Sequence, residues 1–447
     1  MTEKRDPQTI LEELIGAARR AGADAADAIL VANVSASVSY RLGRLEELER
    51  AESSDLGLRV FAGERVAFVS STDLSRQTLE ELPERAMAMA RLAPEDKFAC
   101  LAPPERLAKS WPALDLEDPE EPSANVLIER ARAVEGAAMA VRGITNSEGG
   151  GAGFGRSEVA LATSEGFFGR YAGTSHDIGV AVLAGEGTAM ERDYDAASAR
   201  HSGDLDPAEE VGRRAGERTV SRLDPRKARS QAVPVIFEPR VSSGLLGHFA
   251  GAISGGSIAR GVSFLKDSMG QEVFARGITI VDDPHRLRGR RSKPFDGEGV
   301  RNARMGLVED GVLASCKLDC ASARQLGLST TGHGARGTGG PPSPSATNLY
   351  MERGTVSPEE LMSDIAQGLL VTELMGMGVN TVTGDYSRGA SGFWIEHGKI
   401  AYPVAGVTIA GNLKEMYRHL AAANDLFFRY GTNAPTLRVE SMTVAGE

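Results

Sequence analysis

Cysteine, histidine and aromatic residues are all scarce in this 447-residue chain. The three cysteines, Cys100, Cys316 and Cys320, are an odd set in a long polypeptide. That usage excludes a disulfide framework and suits free thiols in a reducing compartment, so a cytoplasmic location is expected. Aromatics make up only 5%, too few for a surface that stacks nucleobases. No uncharged apolar run is long enough to cross a bilayer. The opening Met-Thr-Glu-Lys-Arg-Asp-Pro carries both charge signs rather than an apolar signal core. A basic excess is missing too: 50 Lys and Arg against 61 Asp and Glu leave a formal charge of −11. Membrane association and direct nucleic-acid contact are therefore not expected. The densest basic run, Arg286, Arg288, Arg290, Arg291 and Lys293, reads as a solvated loop between Pro284 and Pro294.

Familiar catalytic signatures are absent as well. There is no Gly-x-x-x-x-Gly-Lys-Ser/Thr loop and no Gly-x-Ser-x-Gly elbow. Gly149 to Gly155 misses the spacing of a dinucleotide fingerprint, and strands rather than a helix follow it. No two of the seven histidines lie within twelve residues, which leaves no local pair to start a zinc site. Cys316 and Cys320 have no His nearby and read as core thiols.

What is present is an ordinary globular composition, 41% apolar and 25% charged, with 52 glycines. At roughly 150 residues per domain, this length suggests two or three domains. Asp6 and Pro7 open a capped helix, and Ile10, Leu11, Leu14 and Ala18 share its inner face. Alternation from Val34 through Ala36, Val38 and Tyr40 to Leu42 predicts a half-buried strand, and Gly57 to Ser71 a hairpin. A second helix runs from Ser75 to about Leu92. Six prolines between 93 and 122 exclude regular structure there and mark a linker between two layers of the N-terminal half. Ser123 caps a third helix, residues 144–194 read as an antiparallel meander of short strands, and Asp206-Pro207 opens a fourth helix with a cap.

Beyond Leu223-Asp-Pro-Arg-Lys227, Val233 to Phe237 begins a buried strand. Helices are expected at Ser357–Met375 and Leu413–Asn424, and a long loop at Gly332–Pro344, of the kind that is functional or mobile. The fold class is thus α+β: an N-terminal α/β layered domain with an antiparallel sheet, then a β-rich, Gly-rich C-terminal domain. Its divisions are a helix/strand subdomain at 1–92, the Pro-rich linker at 93–122, a second α+β subdomain at 123–228 and the C-terminal domain at 229–447.

Candidate chemistry is sparse. His248 sits in Ser243-Gly-Leu-Leu-Gly-His248, an apolar helix-like stretch, where a core histidine is the plain reading. The carboxylate pairs Asp282-Asp283, Asp296 with Glu298, and Glu309-Asp310 adjoin turn residues and are expected to face solvent. Thr383-Gly-Asp-Tyr-Ser-Arg388 leads into a buried aromatic strand. It either grips a peptide backbone by strand addition or forms a tight turn with an ion pair.

Several blocks carry a resemblance. They are Asn146-Ser-Glu-Gly149, Ala184-Gly-Glu-Gly187 with Met190-Glu-Arg-Asp-Tyr194, Arg213-Arg-Ala-Gly-Glu217, Ser263-Phe-Leu-Lys-Asp267, Val281-Asp-Asp-Pro-His285, Pro294-Phe-Asp-Gly-Glu-Gly299, Thr383-Gly-Asp-Tyr-Ser387 and Ile409-Ala-Gly-Asn-Leu413. Together they resemble the TldD/PmbA family, once called modulators of DNA gyrase, in its PmbA (TldE) branch. The resemblance implies a cytosolic, heteromeric metallopeptidase, TldD with TldE, that admits unfolded or extended peptides into an enclosed chamber. In that family the TldD-type subunit holds zinc through His-Glu-x-x-x-His on a helix plus a distant Cys. Here the second histidine position is kept as His248, while Ser243 and Gly244 stand where the first His and the general-base Glu would be. No Cys follows Cys320, since Asn424-Asp-Leu426 runs almost directly to Gly431-Thr-Asn-Ala-Pro-Thr436.

The expectation is therefore a non-catalytic subunit that binds no zinc itself and borrows the zinc of a TldD-type partner, with homodimerisation left open for the isolated chain. Peptide or chamber candidates are His248, Asp385, Tyr386, Ser387 and Arg388. Two other readings stay open. One is an independent hydrolase whose ligands, such as His248, His333 and Cys320, converge only in the fold. The other is a gyrase-modulating binding protein.

Overall fold

The computed structural model describes residues 5–446. Helix α1 (Pro7–Arg20) starts as its sequence dictates: the Asp6 carboxylate accepts from the Thr9 N–H at 3.3 Å, and Ile10, Leu11, Leu14 and Ala18 are buried. Strands β1 (Ala25–Arg41), β2 (Arg44–Ala62) and β3 (Arg65–Ser71) follow, then α2 (Arg76–Leu92) and α3 (Ala124–Met139). Next come β4 (Ile144–Thr163), β5 (Phe168–Ala184), β6 (Glu191–Ala199) and α4 (Ala208–Ser221). The expected meander is present, but its strands are long. Asp206 does not cap α4; Pro207 occupies that position, and Asp206 pairs with Arg214 and Arg429 instead.

These strands form one antiparallel sheet in the order β3-β2-β1-β4-β5-β6. Strand alternation sorts its two faces. Ala26, Ala28 and Leu30 of β1, with Leu56, Leu58 and Val60 of β2, pack beneath α1 and α2. Val38, Ile178, Val180 and Val182 pack beneath α3 and α4. The alternate residues Ile29 and Leu161 face the other way and meet Phe167 and Phe295. All four helices therefore cover one face, and the other face receives the C-terminal half.

That half begins with β7 (Gln231–Phe237), α5 (Pro239–Ala252) and α6 (Gly255–Ala259), then β8 (Ile280–Asp282), β9 (Met305–Glu309), β10 (Val312–Leu313) and α7 (Cys320–Leu326). It continues with β11 (Gly334–Ala335), β12 (Ser343–Pro344), β13 (Leu349–Met351), α8 (Pro358–Met362), β14 (Gln367–Met375), β15 (Asp385–Glu396) and β16 (Lys399–Asn412). It ends with α9 (Leu413–Arg418), β17 (Leu420–Ala422), β18 (Thr432–Asn433) and β19 (Leu437–Ala445). The main sheet has the order β16-β15-β14-β7-β19-β17, and a second has β10-β9-β8-β13-β18. Between them Phe249 of α5, Phe274 and Tyr417 form a core in which Phe274 and Tyr417 stack at 4.4 Å.

Two expected helices are shorter than their patterns. The first stops at Met362, and Gln367–Met375 is a strand seated between β7 and β15. The second stops at Arg418, because Leu420–Ala422 pairs with β19. In both cases a vacant place in the sheet outweighs local helix propensity.

The Pro-rich stretch contains one short 3-10 turn, Pro104–Arg106, and is held from both sides. Ala108 N–H donates to Gly299 O at 2.9 Å, Arg288 N–H to Leu114 O at 2.9 Å and Thr174 N–H to Leu116 O at 2.9 Å. The long loop is likewise pinned. Its Arg336 pairs with the fully buried Asp27 of β1, which also pairs with Arg59 of β2. A Cβ on Gly57 would stand 2.3 Å from the Thr338 carbonyl oxygen of the same loop.

Asp296 and Glu298, expected in solvent, are 1% and 2% exposed. Asp296 accepts from the N–H groups of Glu298, Val300 and Gly334, each at 2.8 Å, and Glu298 accepts from Cys320 N–H at 2.8 Å. The cause is Gly297 between them: a Cβ there would lie 2.9 Å from the Arg336 nitrogen, so only glycine lets the loop backbone close over the pair. Among the described residues no helix is long and apolar enough to cross a membrane.

Burial, with the neighbouring Asp296 charge, pushes the Glu298 carboxyl up to about 8, and burial pushes Asp296 upward too. A carboxyl whose folded pKa exceeds its unfolded value of 4.5 keeps its proton in the native state between those two values. Stability should therefore fall as pH rises from about 5 to 8, by up to about 1.4 kcal/mol per unit. Urea midpoints across that range check this, and Glu298→Gln should flatten the fall; an unchanged slope would locate the titration elsewhere. Gly57→Ala should cost about 1–3 kcal/mol in the same assay, because the obstructing atom is backbone.

Candidate functional site

Helix α5 has one crowded face and one bare one. Ser242, Leu245, Leu246, Phe249 and Ala250 are buried in the core. On the other side a Cβ at Gly244, Gly247 or Gly251 would meet nothing within 4 Å. His248 belongs to the same helix and is half-buried. Its ring meets the edge of Tyr386 on β15, centroids 6.0 Å apart and planes at 75°. Alternation on β15 then divides the remaining candidates: Tyr386 and Arg388 point inward, while Asp385 and Ser387 are exposed.

His248, Tyr386 and Arg388 thus share one electrostatic neighbourhood. Burial lowers the His248 pKa, and the Arg388 guanidinium lowers it further. The imidazole is therefore neutral near pH 7. Burial pushes the Tyr386 hydroxyl up to about 12. Arg388 Nε is buried with no hydrogen-bond partner among the described residues, and the buried Tyr386 hydroxyl faces the Arg388 guanidinium, whose charge and hydrogen bonding oppose the effect of burial. Unsatisfied buried polar atoms are uncommon in native proteins, and a ligand's carbonyl or carboxylate oxygen placed beside this pair would accept from Arg388 and from the Tyr386 hydroxyl.

Asp385 and Ser387 lie outside that group. Asp385 accepts from the Thr383 hydroxyl at 2.6 Å and from Asn412 Nδ2 at 3.0 Å, and these bonds hold its carboxyl below the usual range. The turn is confined to residues 381–383, Asp385 already opens β15, and among the described residues no ion pair closes the turn. Strand addition is also blocked here, because β16 pairs along one edge from Asp385 to Arg388, while Ser387 N–H donates to Gly378 O at 2.7 Å on the other.

The donors around His248 do not fit zinc, which normally takes three protein ligands. Ser243 and Gly244 provide neither imidazole nor carboxylate, and the nearby guanidinium repels a cation. The alternative ligands are engaged separately: His333 contacts Asp282 at 3.2 Å and Thr331 at 2.8 Å, and Cys320 lies buried beside Glu298. Among the described residues no group of three or more His, Cys, Asp or Glu side chains could hold a metal ion. The Asp296–Glu298 pair is visible in the sequence but its burial is not; glycines 297 and 299 alternating with its carboxylates were the available signal.

Three family models match this chain in order: PmbA/TldA metallopeptidase domain 1 at residues 26–90, the central domain at 117–223 and the C-terminal domain at 230–446. The chain is 40% identical to the metalloprotease PmbA of Escherichia coli O157:H7, covering 98% of this chain and 96% of that protein. It is 37% identical to a Haemophilus influenzae PmbA homolog, covering 96% and 94%. Its fold matches a Bacteroides thetaiotaomicron protein whose crystal structure carries the name modulator of DNA gyrase, with TM-score 0.91, 27% identity and full coverage of both chains. It also matches TldE of Thermococcus kodakarensis, with TM-score 0.85 and 22% identity over 97% of this chain and 99% of that one. Matched from its first strand to its last by the domains of one family, the chain belongs to the PmbA/TldD metallopeptidases.

Proposed function

We propose that this chain is the TldE-type, non-catalytic subunit of a heteromeric peptidase whose zinc and hydrolytic machinery reside in a TldD-type partner. The observation that carries this reading is the chemistry of α5, where a single imidazole stands beside a guanidinium and the neighbouring positions are Ser243 and Gly244. A metal-bound hydroxide needs a cation-holding cage and a carboxylate to take its proton. This helix provides neither. The family includes TldD-type chains, and the chain is 30% identical to the Haemophilus influenzae TldD homolog over 201 residues.

In this reading the bare face of α5 lets an extended peptide approach closely. Tyr386 and Arg388 then hold it by hydrogen bonds to its carbonyl or carboxylate oxygens, and neutral His248 accepts or donates alongside them. Three free thiols support a reducing, cytoplasmic setting.

The purified chain should cleave no unfolded peptide alone, and a mixture with a TldD-type subunit should do so in a chelator-sensitive manner. Stoichiometric zinc and chelator-sensitive cleavage in the isolated chain would overturn the proposal. Within the complex, Tyr386→Phe and Arg388→Ala should raise KM several-fold, about 1 kcal/mol per lost hydrogen bond, with smaller effects on kcat. Steady-state kinetics on one unfolded peptide would separate the two constants.

A further inference from the structure

The basic run at 286–293, expected to be solvated, is divided by the fold into separate contacts. Arg286 lies 3.4 Å over the Phe428 ring, and Arg288 pairs with Asp115 and Asp204 at 2.6 and 2.8 Å. Arg290 stands 3.7 Å from Asp177. Arg291 and Lys293 are left over. Both line a cavity of about 320 Å³ between the two halves, together with Tyr171 of β5 and Ser345 after β12.

Arg200, just beyond β6, lines the same cavity. Its hydrogen bonds go only to main-chain carbonyls, those of Gly289, Arg290 and Thr174 at 3.3, 2.7 and 3.0 Å. Among the described residues none of Arg200, Arg291 and Lys293 has an ion-pair partner, and no carboxylate lines the cavity. The carboxylates that do influence Lys293, those of Asp296 and Asp282, are engaged elsewhere. Asp296 accepts three main-chain N–H groups, and Asp282 accepts from Thr347 and faces His333. Burial lowers the pKa of Lys293 and of Arg200, the physical sign of cations held away from water without full compensation. Such an arrangement is costly when empty and favourable when an anion completes it.

We propose that this cavity binds a small dianion of the phosphate class, held by Arg200, Arg291 and Lys293. The Arg291 guanidinium and the Lys293 ammonium match the oxygens of a tetrahedral oxyanion, and Arg200, whose three nitrogens already donate to main-chain carbonyls, adds its charge and its remaining N–H groups. Two negative charges compensate three cations better than one carboxylate does. The volume lies at the small end of ligand pockets, which fits inorganic phosphate or a compact phosphorylated metabolite. Because the walls come from both halves, the ligand would bridge the N-terminal sheet to the C-terminal domain.

Titration of the full chain with inorganic phosphate, at constant ionic strength against chloride, is expected to raise the thermal midpoint saturably. Lys293→Met and Arg291→Ala should each weaken that response about tenfold, the loss of one charge-assisted contact. Arg291 is exposed, so its variant leaves the fold intact even if Lys293→Met disturbs packing. Glycerol 3-phosphate in a parallel arm separates the two sources: tighter binding than phosphate supports a phosphorylated metabolite, and equal binding supports the free anion. Equal shifts from phosphate and chloride, or a phosphate shift that survives both substitutions, overturn the assignment. So does a response confined to peptides with a free C-terminal carboxylate.

Discussion

Asp27 is the point on which the two halves of this molecule meet. It sits on the inner face of β1, fully buried, and two guanidinium groups reach it: Arg59 from the neighbouring strand and Arg336 from the long C-terminal loop. Burial alone would raise the Asp27 carboxyl, and the charges of Arg336 and Arg59 overcome that effect and hold it below the usual range. Removing Asp27 would leave two guanidinium groups in the interior without their carboxylate, at a cost of about 3–5 kcal/mol. The triad therefore ties the C-terminal loop to the sheet: Arg336 reaches Asp27 only when the loop lies over β1 and β2. Gly57 and Gly297 are the complementary steric condition, because the same loop passes too close to both for a side chain.

A second polar contact joins the halves at the other end of the sheet. Asp193 of β6 meets Arg222 and Arg240, and Arg222 continues to Glu373 of β14. Arg240 lies in the first turn of α5, the helix that carries His248. The orientation of that helix is thus tied by charge to the N-terminal sheet and by Phe249 to the C-terminal core. The consequence is a rigidly placed helix whose outward face is nearly free of side chains. Such a surface leaves room for the close approach of another backbone, the feature on which the proposed holding of a peptide rests.

Local patterns were legible where one element's own chemistry decides its structure. Asp6, Pro7 and the apolar spacing through Ala18 specify α1, and the Gly63 turn specifies the β2–β3 hairpin. That Ser243 and Gly244 precede His248, and that no His-Glu-x-x-x-His occurs in the chain, could also be read directly, since both are properties of consecutive residues. Long-range placement was not legible. Nothing local marks Gln367–Met375 as a strand, because its reason is the vacancy between β7 and β15. Asp296 and Glu298 resemble a solvated acidic turn until Gly334 and Cys320 supply N–H donors from distant segments. Arg291 and Lys293 likewise look like part of a solvated charge run until the sheet brings Arg200 beside them.

The amino-acid order by itself determined the α+β class, the family and the absence of a His-Glu-x-x-x-His helix, because periodicity, capping and ligand identity are properties of neighbours along the chain. Tertiary structure alone decided which polar groups are buried, which candidates converge and which turn outward. Tyr386 and Arg388 reach His248 while Asp385 and Ser387 do not, although all four are consecutive in the chain. The physical reason is that burial, and with it the local dielectric and the charge a group can carry, comes from what packs against a residue, and here that packing joins segments as far apart in the chain as Asp27 and Arg336.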